Sequence, residues 1–299
     1  MESNNKADAD DQVLHSVVLA NYNGAEFLEQ AIYSVLDQEQ ANFELVLVDD
    51  CSTDGSLKLM EAIAQRHPDV VRVLRHNNNR GQGAGFNTGI AASRGSLVSF
   101  MDSDDLWYPG KLRHVAEAFE HTPDAVMHHH NLELLRNGVV EPARIVDMMA
   151  YGDVGARWRE TMSSPEFLPR FAPTSGLTLP RRILEKIMPC PEIRICADMW
   201  LTFAPLAFGA VSASYSAMGA YRVHGSNNFF GRAVDYWGLL LNELGPPMRA
   251  LWIRHGVADV LPPIPKPPAP TPPKTFTDRV LDLSIRKLLH GVRRWLPLA

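Results

Sequence analysis

The sequence predicts an α/β protein built on a doubly wound, mostly parallel sheet of Rossmann-like βα units. Two observations carry that expectation. Short apolar runs alternate with segments of helical periodicity from Ser16 onward, and the resulting strand, loop, helix unit recurs along the first 120 or so residues. In such sheets a ligand sits beyond the carboxyl ends of the strands, so the acidic residues closing those strands should converge.

The first run, SVVLA from Ser16, turns at Asn21 to Gly24 and leads into apolar positions Leu28, Ala31, Ile32, Val35 and Leu36, the spacing of an amphipathic helix. A second strand over Phe43 to Val48 ends in Asp49 and Asp50, and Ser52, Thr53 and Asp54 offer caps to a helix over Leu57 to Ala64. The unit returns as a strand Val70 to Leu74, a Gly-rich turn and a helix reaching Ala92. Strand Leu97 to Met101 follows, then a helix carrying Leu112, Val115, Ala116 and Phe119. Past Ala125 the pattern loosens into a region rich in Arg, Pro and Met that runs to about Asn228. Residues 241–261 read as a helical extension, and 262–274 as a stiff Pro-rich linker in extended conformation. In 275–299, Val280, Leu281, Ile285, Leu288, Leu289, Val292 and Trp295 share one helical face, with Arg286, Lys287, Arg293 and Arg294 largely away from it. A basic amphipathic helix of that kind suits a membrane surface, while its apolar stripe equally permits packing on its own domain or on a second subunit.

With 299 residues, 45% of them hydrophobic, the chain is long enough for one large domain plus an appendage and too polar for an integral membrane protein. A formal charge of −5 gives no electrostatic reason to expect a nucleic-acid partner. Cys51, Cys190 and Cys196 are odd in number and lack a repeated pair spacing, so neither a disulfide framework nor a zinc site is indicated, and a reducing, cytoplasmic compartment fits. The opening MESNNKADADDQ is polar and acidic, unlike a secretory signal or a membrane anchor, and residues 1–13 read as a disordered tail.

The strongest chemical signal is FMDSDDLWYPGKL, where a buried-looking strand delivers Asp102, Ser103, Asp104 and Asp105 into a loop closed by Pro109. Carboxylates spaced by one residue can reach one hard cation together with diphosphate oxygens. The competing reading is a strand-to-helix turn in which Asp supplies caps and solubility. Three carboxylates within four residues repel one another unless a cation or solvent offsets them, which favours the cation. The second signal is ELVLVDDCSTDGS, whose Asp49 and Asp50 could accept from a base imide or a ribose hydroxyl, or could serve as helix caps.

Taken in order, SVVLANYNGAEFLEQAIYSVLDQ, VLVDDCSTDGS, NNNRGQGAGFNTGIAASRG, FMDSDDLWYP and YRVHGSNN resemble the successive motifs of family 2 glycosyltransferases, over roughly residues 14–230. The resemblance implies the GT-A fold in 14–240, with a nucleotide-sugar-binding half at 14–124 and an acceptor half at 125–240. It implies a nucleotide-diphosphate-sugar donor, a UDP-sugar at the family level, and a carbohydrate or lipid-linked acceptor of the kind used in cell-envelope polysaccharide or glycoconjugate synthesis. It further implies that Ala20, Asn21, Tyr22 and Asp50 line the nucleotide pocket, with Asp49 and Ser103 beside them. Asp102 then contacts ribose or metal, and Asp104 ligates Mg²⁺ or Mn²⁺ beneath the diphosphate. His224 in YRVHGSNN falls where a ligand to the metal or to phosphate is expected, or is a structural histidine.

The family's acceptor-activating carboxylate corresponds to Asp198 in IRICADMWLTFAPLA, the general base for an inverting displacement. Without the resemblance, Asp198 reads as a cap for the helix starting at Met199. The sequence departs from the family pattern at Ala197, where Glu is common, at Phe86, where an Arg often precedes Asn87, and at Cys51, where Gly is frequent. Arg80 is the candidate to replace the missing charge at the donor.

His128, His129 and His130 cannot all bind one ion from a regular strand, because neighbours point to opposite faces; they read as a polar strand ending. A nucleotidyltransferase of similar fold would want a basic, Gly-rich phosphate loop where ANYNGAEF has neither Lys nor Arg. A non-catalytic nucleotide-sugar-binding module would keep the pocket and need no base. A glycoside hydrolase uses paired carboxylates but needs no diphosphate-chelating cluster at a strand end.

Overall fold

The computed structural model describes residues 15–39, 42–144, 173–225, 227 and 243–257. All of them belong to the first of the chain's two compact units, residues 1–265. The 1–13 tail, the 262–274 linker and the 275–299 helix expected from the sequence lie outside the described residues.

Four βα units open the chain, as their periodicity predicts. Strand β1 (His15–Asn21) leads to α1 (Ala25–Leu36), β2 (Phe43–Asp49) to α2 (Ser56–Arg66), and β3 (Val71–Arg75) to α3 (Gln82–Ala92). Strand β4 (Leu97–Asp102) is followed by the two-residue β5 (Leu106–Trp107) and α4 (Lys111–His121). Alternation along β1 sends Val17 and Leu19 to one face and Val18 to the other. Val17 and Leu19 pack with Leu28, Ile32 and Val35 of α1 and Met60 and Ile63 of α2. Val18 packs with Phe86 and Ile90 of α3 and with Val98 and Phe100. Helices therefore cover both faces. Each such fully buried aliphatic side chain contributes roughly 1.5–3 kcal/mol relative to exposure.

The second half comprises β6 (Met127–Arg136), β7 (Val139–Arg144), a 3₁₀ turn (Thr174–Gly176), β8 (Leu177–Pro180), α5 (Arg181–Ile187), α6 (Asp198–Phe203), a second 3₁₀ turn (Ala204–Phe208), β9 (Val211–Val223) and α7 (Gly245–Arg254). The strands form one sheet in the order β3-β2-β1-β4-β8-β6-β9-β5, with β7 paired to β6. Strands β3, β2, β1 and β4 are parallel, whereas β8 joins β4 and β6 antiparallel, so the sheet becomes mixed where the sequence periodicity loosens. The register places Asn21 beside Asp49 and Ala20 beside Asp102, which aligns the polar ends of β1, β2 and β4 along one edge. Among the described residues no helix is long and apolar enough to cross a membrane.

The histidine triplet departs from the sequence reading. His128, His129 and His130 do not end a strand; they sit in the first half of β6, and all three are buried. Central pairing explains this, because β6 has paired strands on both sides and the α4 rings of His114 and Phe119 pack against His128. Burial holds His128 down to about 3 and His129 to about 4, so they are neutral in the fold. His15 is likewise held at about 3 by burial and by nearby Lys111, with Nε2 on the Ser99 hydroxyl at 2.8 Å.

Candidate active site

The loops after β1 and β2 are locked to each other by short polar side chains. Asn21 Nδ2 donates to Ser52 Oγ at 3.1 Å, Ser52 Oγ also accepts from the Asn23 amide at 2.9 Å, and the Thr53 amide donates to Asn23 Oδ1 at 2.8 Å. Asp49 Oδ2 accepts from the Ser52 amide at 2.9 Å. Asp54 bridges two helix starts, taking the Ala25 amide of α1 on one oxygen and the Ser56 amide of α2 on the other. These bonds satisfy donors that a helix N-terminus leaves unpaired; the cap position of α2 itself is Gly55, and Asp54, one residue before it, takes the first amide of the helix. Ser52 and Thr53 tie loops together instead.

Asp50 is buried and its carboxylate is filled. It accepts from the Arg80 amide at 2.9 and 3.1 Å, from the Gly81 amide at 2.7 Å, and contacts His76 Nδ1 at 2.6 Å. The contacts observed for Asp50 thus hold the loop that opens α3. Tyr22 stands exposed at the end of β1, and Ser103 lies against Gly24 in the next loop. Arg80 turns outward and pairs with Glu192 at the surface, so its charge already has a partner.

The acidic cluster lies one strand over. One carboxylate oxygen from each of Asp102, Asp104 and Asp105 lies within 4.8 Å of the others. Asp105 is fully buried and saturated: Oδ2 accepts from Ser175 Oγ at 2.6 Å and Oδ1 from the Arg222 amide at 2.9 Å. Asp102 and Asp104 remain partly open. Asp104 Oδ2 lies 2.9 Å from Nε2 of His224, whose ring packs 4.8 Å from that of Phe27. Arg222 donates to the Asp104 carbonyl and to Gln30, with its guanidinium over the Phe27 ring. Residues 120 positions apart, Asp104 and His224, are thereby joined.

Asp198 begins α6 and faces the same cluster. Withdrawal from water raises its carboxyl to about 6, against the pull of hydrogen bonds from the Met199 amide and from Thr174. Withdrawal from water and the neighbouring charges of Asp105, Asp104 and Asp198 hold Asp102 well above the usual carboxylate range. Thr174 lies within hydrogen-bonding reach of both Asp102 and Asp198. Its neighbour Ser175 accepts from the Asp102 amide and donates to Asp105, while the Ser175 carbonyl accepts from Trp107 Nε1. Burial and all four carboxylates push the Tyr221 hydroxyl up as well, so it stays protonated beside them.

Two oxygens on Asp102 and Asp104 and a ring nitrogen on His224 fit a divalent cation by the chemistry of the donor set. The carboxyl of Asp102, raised by burial and then by the neighbouring charges of Asp105, Asp104 and Asp198, registers negative potential that such a cation would offset. The structure also adds Thr174, Ser175, Arg222 and Tyr221, which sequence reasoning did not single out. Small hydroxyl residues in an irregular stretch carry no periodic signal, and only YRVHGSNN, through its motif, pointed to the end of β9.

The family model Glycosyl transferase family 2 matches residues 16–138. An uncharacterized glycosyltransferase of Nostoc sp. (strain PCC 7120) is 34% identical over 222 residues, covering 73% of this chain and 67% of the relative. The chain therefore belongs to glycosyltransferase family 2. Among solved structures, S. aureus TarS residues 1–349 in complex with UDP superposes with a TM-score of 0.58 at 19% identity, over 80% of this chain and 65% of that one. The mannosyltransferase PcManGT from Pyrobaculum calidifontis, in complex with GDP-Man and Mn²⁺, superposes with a TM-score of 0.55 at 18% identity, over 82% and 65%. These likenesses establish the GT-A fold. The chain spans about two thirds of the length of each of these proteins.

Proposed function

We propose that this protein is an inverting glycosyltransferase that moves a sugar from a nucleoside-diphosphate donor to an acceptor hydroxyl. The observation that carries the reading is the convergence of Asp102, Asp104 and Asp105 with Asp198 at the strand edge bordered by Asn21 and Tyr22, with His224 against Asp104. The donor's nucleoside lies along Ala20, Asn21, Tyr22 and the Asp49 edge, and its diphosphate over Asp102, Ser103 and Asp104. Relatives of the same fold bind UDP in one case and GDP-Man with Mn²⁺ in another, which supports a nucleotide donor. Asp102, Asp104 and His224 would hold Mg²⁺ or Mn²⁺, which when bound supplies positive charge against the diphosphate.

Asp198 takes the proton of the acceptor hydroxyl as its oxygen forms a bond to the anomeric carbon. The bond from that carbon to the β-phosphate oxygen breaks, and the nucleoside diphosphate leaves with the electron pair. Attack from the face opposite the leaving group inverts the anomeric configuration. Burial that lifts Asp198 to about 6 makes it a stronger base than an exposed Asp while leaving it ionised at neutral pH. The acceptor is a carbohydrate or lipid-linked hydroxyl.

The test is a thermal-shift screen of UDP, GDP, ADP and CDP, each with and without Mn²⁺, on the wild type and on Asp104→Ala. A ligand that binds only the native state raises the melting temperature. A Mn²⁺-dependent rise with one nucleotide that disappears in the variant supports the reading; no rise with any nucleotide rejects it.

A further inference from the structure

The acceptor-side segment that carries Asp198 is fastened to the donor-side helix α3 by an extended set of bonds. Asn87 exchanges two hydrogen bonds with the backbone of Cys190, both at 2.8 Å. The Gln82 and Gly83 amides donate to the carbonyls of Arg194 and Ile193 at 3.2 and 3.0 Å. Arg194 reaches Asn79 Oδ1 at 2.7 Å, and Arg80 pairs with Glu192. The fit is close enough that a Cβ on Gly83 would overlap the Pro191 carbonyl oxygen, and one on Gly81, where φ is +91°, would come within 2.6 Å of the Arg194 Cα.

One side chain in this zone touches the chemistry on both sides. Gln82 Nε2 donates to Asp102 Oδ1 at 3.3 Å, and Gln82 Oε1 accepts from the Ala197 amide at 2.9 Å. A carboxamide suits this position because it offers a donor and an acceptor on one rigid plane, and the observed bonds use both. The donor end holds one oxygen of Asp102. The acceptor end pins the residue immediately before Asp198. The surrounding bonds given above fasten the same two segments but reach neither Asp102 nor Ala197.

Resting on the reading of the site given above, we propose that Gln82 is a positioning residue that sets the cation-binding carboxylate Asp102 and the base Asp198 in one frame, so that the donor and acceptor halves of the site keep a fixed separation. It touches neither the sugar nor the acceptor. Groups that orient the ligands of a metal typically contribute about 10- to 100-fold to metal affinity or activity. Misplacing a reacting group by about 1 Å can cost on the order of 100-fold in rate.

The test compares wild type with Gln82→Met, which keeps length and removes both hydrogen bonds, and with Asn79→Ala, which removes a bond of the same zone that reaches neither Asp102 nor Ala197. Because the backbone bonds of Gln82 and Gly83 and the Asn87 pair survive in both variants, both fold, as thermal melts check. Mn²⁺ is titrated calorimetrically into each protein holding UDP or GDP, and nucleotide release from UDP-GlcNAc or GDP-mannose is followed at steady state. Gln82→Met is expected to weaken Mn²⁺ binding about tenfold and to lower kcat by roughly 10- to 100-fold, with the KM for donor changed by less than about threefold. Asn79→Ala is expected to match wild type in both. Wild-type Mn²⁺ affinity and kcat in Gln82→Met overturn the proposal while leaving the active-site reading intact, and equal losses in both variants overturn it in favour of general loosening. A wild type that binds none of UDP, GDP, ADP and CDP with Mn²⁺ overturns both readings.

Discussion

Acidification should unfold this protein through its buried histidines, and two substitutions isolate the effect. His15 and His128 are each at most 1% exposed and held near 3 in the fold, against about 6.5 in the unfolded chain. A base with a depressed folded value binds its proton in the unfolded state first. Stability is therefore complete above about pH 6.5 and is lost as the pH falls from there toward 3. At pH 5.5 the unfolded chain gains RT ln 11, between about 1 and 2 kcal/mol per histidine, and the folded chain gains almost nothing. The two together cost on the order of 3 kcal/mol, a large part of a typical stability of roughly 5–15 kcal/mol. Asp198, raised to about 6, works in the opposite sense and recovers under about 1 kcal/mol over the same window, so the wild-type curve alone is ambiguous. Variants cancel that shared term. His15→Gln retains a nitrogen for Ser99 and His128→Asn retains one for Ser212, the partners at 2.8 and 2.9 Å. Urea unfolding followed by tryptophan fluorescence at pH 7.5 and 5.5 gives the comparison. Wild type should lose on the order of 3 kcal/mol more than the double variant across that interval. Parallel pH dependences would refute the claim that these imidazoles are neutral in the fold.

Four further outcomes are expected. Asp104→Ala should abolish Mn²⁺-dependent binding of nucleoside diphosphate in calorimetry, since one anionic ligand and the partner of His224 go together; undiminished affinity counts against the cation site. Asp198→Asn should leave donor binding nearly intact and lower transfer on the order of 10² to 10⁴-fold. The wild-type rate should rise with pH through about 6 or lower, since a bound cation favours the ionised form, and the variant should lack that limb; a wild-type rate in the variant places the base elsewhere. Gly83→Ala should cost roughly 1–3 kcal/mol in urea unfolding, because its methyl would overlap the Pro191 carbonyl oxygen; an unchanged midpoint would mean the segment is free to shift. Full-length protein should float with anionic liposomes at low salt and less at high salt, whereas a chain ending at Leu261 should not, if the basic stripe of 275–299 is a membrane contact; equal behaviour of both chains rejects it.

The first half of the fold was legible because each of its strands is followed by the helix that covers it, so local periodicity and tertiary burial coincide. Strands β1, β2 and β4 end where the apolar runs end, and that alone brought Asp49, Asp50 and Asp102 to one edge. The second half obeys a different logic. Strand β6 pairs with β8 and β9, more than 40 and 80 residues away, and its buried face carries His128 and His130 where a core strand would ordinarily show Val or Ile. A polar residue whose environment is supplied by distant segments looks, in one dimension, like a surface residue. The same reason hid Thr174, Ser175 and Gln82. Each is a small or medium polar residue at the start of a turn or helix, indistinguishable from an ordinary cap until the carboxylates it serves are folded against it. Carboxylates were readable because several crowded into four residues need an explanation in any fold; the hydroxyls and amide that orient them need one only in this fold. Reading the site from sequence therefore finds the charges and misses the groups that hold them apart, and in this chain those groups cluster on two segments: 79–87, which touches Asp102 and Ala197, and 174–175, which touches Asp102 and Asp198.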